Sequence, residues 1–164
     1  MPYKNYNKSS DRNSPYFCDP DTFTTICEME RRRADRDWHS AYISRINIQL
    51  DSSQPEDLAD ISYRLEEVLQ QKIRQSDTVC RWDEDCYFVL LHDLTDDDIA
   101  KVKNRIGKYF KKSISSCPEV DCWFNNQGTC QERSMPERSG CDCRPPVIGR
   151  KKVALNWDFY PLQN

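Results

Sequence analysis

The stretch 74–92, RQSDTVCRWDEDCYFVLLH, constrains the fold more than any other part of the chain. Two apolar, strand-like runs, 78–82 and 86–91, are separated only by Asp83, Glu84 and Asp85. That pattern predicts a β-hairpin with a charged tip. The second run is apolar at every position from Tyr87 to Leu91. A strand without a polar face has to be covered on both sides, so it belongs in mid-sheet. The tip is then expected at a sheet edge, open to a nucleotide or a metal.

The sequence around the hairpin supplies the rest of a small domain. Residues 41–50 alternate, with Tyr42, Ser44, Ile46, Ile48 and Leu50 on one face and Ala41, Ile43, Arg45, Asn47 and Gln49 on the other. This is a strand with one strongly buried face. After a loop at 51–54, Ser53, Pro55 and Glu56 form a helix start. Leu58, Ile61, Leu65, Val68 and Leu69 then step at helical spacing to about residue 73. Thr95 with Asp98 opens another helix, striped by Ile99, Val102, Ile106, Tyr109 and Phe110. Val153, Leu155, Trp157 and Phe159 alternate along a last strand, which Pro161 ends.

Ahead of these, Asp19-Pro20-Asp21 opens a first helix with Phe23, Ile26 and Cys27 on one face. Arg31, Arg32 and Arg33 lie in the charge run of its other face and read as solvated, with a phosphate-binding patch as the alternative. A helix followed by β-α-β-β-α-β defines an α+β, ferredoxin-like palm with both crossover helices on one face of an antiparallel sheet. The expected organisation is a flexible N-terminus at 1–18, a palm at 19–112, a Cys-rich insertion at 113–152 and the last palm strand at 153–164.

The net charge of -3 argues against a nucleic-acid binder. No apolar run approaches membrane-spanning length, and the polar N-terminus lacks the apolar core of a signal peptide. A soluble, cytoplasmic protein with no membrane partner is expected. The nine cysteines, odd in number and without a signal peptide, argue against a full disulfide framework. Cys18, Cys27, Cys80 and Cys86 are scattered. Cys117, Cys122, Cys130, Cys141 and Cys143 crowd the insertion as CxxxxC, a single Cys and CxC. Four thiolates complete a tetrahedral zinc site, and the insertion has little apolar core of its own. Zinc, disulfides and free thiols all remain open for it. His39 and His92 read as surface or capping residues.

The element order, together with RQSDTVCRWDEDCY, resembles the GGDEF domain of bacterial diguanylate cyclases, over about 19–110 and the last strand. That family joins two GTP molecules into cyclic di-GMP on a palm preceded by a helix. It carries Arg-x-x-Asp, five residues, then Gly-Gly-(Asp/Glu)-Glu-Phe. Arg74 and Asp77 match the first part, and Asp83-Glu84-Asp85-Cys86-Tyr87 occupy the signature. The departures are chemical. Two glycines that admit the nucleotide are Asp83 and Glu84 here, and added carboxylates repel a triphosphate. The metal-binding glutamate aligns with Cys86, and the metal pair of the first strand with Asn47 and Gln49. Thiols and amides are poor magnesium ligands. Only Asp85 keeps a carboxylate, and 51–57 lacks the family's guanine-binding elements.

The resemblance therefore implies a catalytically inactive GGDEF-like regulatory or interaction domain in bacterial signalling, with no magnesium. The alternatives are an active diguanylate cyclase and a cyclic di-GMP receptor. In the family the Arg-x-x-Asp pair is a product-binding site, which would place cyclic di-GMP at Arg74 and Asp77. A purely structural role fits the same pair. A protein, a second copy of this chain as a homodimer, and cyclic di-GMP are the partners in play.

Overall fold

The computed structural model describes residues 14–37, 40–51, 55–115, 120–124 and 151–162. The elements are β1 (Tyr16–Cys18), α1 (Pro20–Asp37), β2 (Ala41–Leu50), α2 (Pro55–Lys72), β3 (Thr78–Arg81), β4 (Cys86–His92), α3 (Asp96–Ser115), β5 (Val120–Phe124) and β6 (Lys151–Pro161). They build one six-stranded mixed sheet in the order β1-β3-β4-β2-β6-β5. The inner four strands pair antiparallel and make the expected βαββαβ palm. β1 and β5 add one parallel strand at each edge.

The strand periodicities explain the layers. Along β2, Ser44, Ile46 and Ile48 are buried while Arg45 and Gln49 face solvent. Ile46 and Ile48 enter the main core with Leu65 and Leu69 of α2 and Ile106 and Phe110 of α3. The opposite face holds a smaller core in which Phe23 of α1 meets Ala41, Cys80 and Leu90. α2 and α3 therefore share one face, and α1 lies on the other. β4 is covered by both layers, so Val89, Leu90 and Leu91 are at most 1% exposed. Its fully apolar sequence needs that position.

The helix starts behave as their sequences require. Asp19 accepts from the Thr22 backbone N–H at 2.9 Å, with Pro20 in the first helical position where no N–H is needed. Thr95 and Asp98 cap α3 reciprocally: Thr95 Oγ1 donates to Asp98 at 2.8 Å, and the Asp98 N–H donates to Thr95 Oγ1 at 3.4 Å. Lys101 first, then Thr95, holds the exposed Asp98 carboxyl down at about 2. The Ser53 cap of α2 falls outside the described residues.

The structure differs from the expectations at four places. The expected flexible N-terminus extends to residue 18, yet Tyr16, Phe17 and Cys18 pair in register with Thr78, Val79 and Cys80. The open edge of β3 offers them a ladder that three residues cannot advertise in sequence. The stretch 113–152 is not wholly an insertion, since α3 runs to Ser115 and β5 joins the sheet beside β6. The hairpin tip is not at an open sheet edge either: β1 covers β3, and the Asp85 carbonyl in the tip accepts from the Ile48 N–H of β2. β3 ends at Arg81, one residue early, although the Trp82 N–H still donates to the Cys86 carbonyl at 2.9 Å. Among the described residues, no helix is long and apolar enough to cross a membrane.

Candidate functional site

The hairpin tip is held by its own polar atoms and by two neighbouring elements. Asp83 Oδ1 accepts from the Glu84 backbone N–H at 2.8 Å. The Glu84 carbonyl accepts from Ser62 Oγ of α2 at 2.6 Å, and the Asp85 carbonyl from the Ile48 N–H at 2.8 Å. Beneath the tip, Tyr87 donates to Glu66 at 2.8 Å, and Arg81 bridges to the same carboxylate oxygen at 3.1 Å. Burial, then the Glu66 charge, pushes the Tyr87 phenol well above its ordinary range, so it stays a donor. The tip is a self-capped turn tied to α2 and β2.

Beside it, the α1-side face of the sheet carries a polar patch. Asn47 sits opposite Cys86 on one side and Asn156 on the other. The Cys86 thiol donates to Asn47 Oδ1 at 3.7 Å. Burial pushes this thiol up, against the pull of the nearby Arg45 guanidinium. Asn156 Oδ1 is buried with no hydrogen-bond partner. The positions that the resemblance assigns to metal ligands thus hold a protonated thiol facing an amide, and these donors do not fit magnesium. Among the described residues no three His, Cys, Asp or Glu side chains gather closely enough to hold a metal ion. Cys117, Cys130, Cys141 and Cys143 lie outside the described residues. Cys122 falls in β5, with its side chain also outside them.

The Arg74–Asp77 turn lies at the far end of the hairpin. The Asp77 N–H donates to the Arg74 carbonyl at 3.0 Å and closes the turn. Arg74 is exposed, whereas Asp77 is buried. Asp77 Oδ1 accepts from the His92 backbone N–H at 3.2 Å, tying the start of β3 to the end of β4. Desolvation raises the Asp77 carboxyl, against the His92 N–H, His92 and Arg74. Next to this turn, a cleft of about 240 Å³ is lined by Glu30, Arg33, Ser40, Ser76, His92 and Asp93, among others. His92 Nδ1 lies 3.5 Å from Glu30 Oε2, and Arg33 lies 3.8 Å from the other oxygen of that carboxylate. Neither Arg33 nor His92 was separable in sequence from an ordinary surface residue. Only the packing of α1 across the sheet brings them to the Arg74 turn.

This chain path is that of a GGDEF-like palm. It is similar to a DGC protein from Thermotoga maritima at 14% identity and a TM-score of 0.51, covering 89% of this chain and 82% of that one. It is also similar to the GGDEF domain of DgcB from Caulobacter crescentus, solved in complex with c-di-GMP, at 8% identity and a TM-score of 0.54, covering 88% and 72%. A third likeness is to diguanylate cyclase SiaD from Pseudomonas aeruginosa, solved with its activator SiaC. There the identity is 12% and the TM-score 0.51, over 87% of this chain and 46% of that one. No protein-family model and no curated protein sequence matches the chain. At such identities the shared property is the fold.

Proposed function

We propose that this chain is a non-catalytic GGDEF-like domain that serves regulation or protein interaction in cyclic di-GMP signalling. One observation carries the reading: Cys86 donates to Asn47 where the resemblance places two metal ligands. Phosphoryl transfer on such a palm depends on metal charge and on the positioning of the phosphates. A thiol and an amide supply no negative charge to hold a cation. The tip adds a second obstacle, because Asp83 already occupies the Glu84 N–H that a phosphate could approach. Incubation with GTP and Mg2+ or Mn2+, followed by chromatography, is expected to show no cyclic di-GMP. Product that disappears in Asp85→Ala would overturn the reading.

Cyclic di-GMP binding without turnover is a second reading, favoured by the position of Arg33. The family resemblance implies a second arginine beside the Arg-x-x-Asp pair, one the sequence alone does not identify, and Arg33 lines the cleft that Ser76 of this turn also lines. Two guanidinium groups suit a ligand with two phosphates and two guanine edges. In this reading Arg74 supplies the exposed fork, and Asp77 holds the turn. Calorimetry with cyclic di-GMP is expected to give heat that Arg74→Ala and Arg33→Ala each remove. An absence of heat at high micromolar ligand would leave the turn a purely structural role.

For the segment 113–152 we keep zinc as the proposed cofactor, held by four of Cys117, Cys122, Cys130, Cys141 and Cys143. The purified chain, made without a histidine tag, is expected to carry about one equivalent of zinc, and chelation should open the segment to proteolysis. Less than about half an equivalent would rule the site out.

A further inference from the structure

Three of the scattered cysteines meet under the start of α1. Cys18 of β1 and Cys80 of β3 are direct partners in the parallel ladder. Cys27 packs with them against the small core formed by Phe23, Ala41, Cys80 and Leu90. The three are free thiols. Opposed residues on neighbouring strands stand about 4.8 Å apart, and disulfides span Cα separations of roughly 4.4–6.8 Å. In-register parallel partners also point to the same side of a sheet, and both residues pack in the small core on the α1 side.

We propose that Cys18 and Cys80 form a redox-active dithiol that a peroxide closes to a disulfide, pinning the edge strand β1 to β3. The thiols divide the two roles between them. Cys18 is half-buried, while Cys80 is fully buried. The neighbouring Cys80 side chain draws the Cys18 thiol below its ordinary range, against burial and the Asp19 charge. The same contact, with burial, drives Cys80 upward. Burial pushes Cys27 up to about 11, with the charges of Cys18 and Glu30 adding to it, so it remains a neutral thiol. Thiolate is the attacking form, and Cys18 is the reachable one.

In the first step the Cys18 thiolate attacks a peroxide oxygen. An S–O bond forms, the O–O bond breaks, and the departing oxygen leaves as water after taking a proton. Cys18 is then a sulfenic acid. In the second step the Cys80 sulfur attacks the Cys18 sulfur. The S–S bond forms, the S–O bond breaks, and the hydroxyl leaves as water with the Cys80 proton. Two thiols lose two electrons in all, and hydrogen peroxide becomes two waters.

The test treats the full chain with equimolar hydrogen peroxide, alkylates the remaining thiols and digests without reductant. Mass spectrometry is expected to find a peptide pair joined through Cys18 and Cys80, released by dithiothreitol. In C18S, which alters only an edge position and removes one sulfur, the pair cannot form, and Cys80 should be recovered as a free, alkylated thiol after the same peroxide treatment, because the buried partner is not itself the attacking group. Because C80S alters a core position, a second measurement uses the native chain: pulse alkylation should label Cys18 about tenfold faster than Cys80 or Cys27. A dominant Cys18–Cys27 link, a link between two chains, Cys18 found only as sulfinic or sulfonic acid, or Cys18 left unoxidised would each overturn the proposal.

Discussion

Phe110→Ala is expected to lower the unfolding free energy by about 3–5 kcal/mol. Phe110 has no exposed surface and sits in the main core with Leu65, Leu69 and Ile106. Truncation removes a large apolar side chain and leaves a hole between α2, α3 and the sheet that rigid strands cannot collapse into. Domains of this size have total stabilities of about 5–15 kcal/mol, so the loss is a large fraction. The midpoint of thermal unfolding should drop by on the order of 10 °C, followed by circular dichroism. A loss under about 1 kcal/mol would mean that α2 and α3 do not share one core with the sheet. Tyr109, the neighbour of Phe110, provides the control. It is 40% exposed, and Lys72 lies over its ring. Tyr109→Ala should therefore cost much less.

Asp77 should separate a buried acceptor from a required charge. Asp77→Ala is expected to cost about 1–3 kcal/mol, because the His92 N–H loses its acceptor away from water. Asp77→Asn keeps a carbonyl oxygen in place and should stay within about 1 kcal/mol of the native chain at neutral pH. Burial raises the folded carboxyl above its ordinary value of 3.8. The protonated form is therefore favoured on folding. The contribution is fully present below the unfolded value and is lost as pH rises through the raised folded value. The native chain should thus lose stability relative to Asp77→Asn as pH rises across that window. Urea unfolding at several pH values measures both effects. If Asp77→Asn proves as destabilising as Asp77→Ala, the negative charge itself is needed.

Most of the palm was legible in the sequence because its signals are local. The alternation of 41–50 matches β2 residue for residue, and the unbroken apolar run of 86–91 marks the mid-sheet strand. Asp19 with Pro20, and Thr95 with Asp98, start helices through contacts three residues apart. Tertiary structure decided the rest. β1 has three residues and β5 lacks a clean alternation, and each pairs along the open edge of a longer strand. The tip is docked by Ser62, 22 positions before Glu84. The cleft joins Glu30 and Arg33 to Ser40 and His92, and the thiol cluster joins Cys18 and Cys27 to Cys80. Periodicity reports which face of an element is buried but not what lies across from it. That is settled by strand order and register, which depend on packing the whole sheet between its two helical layers.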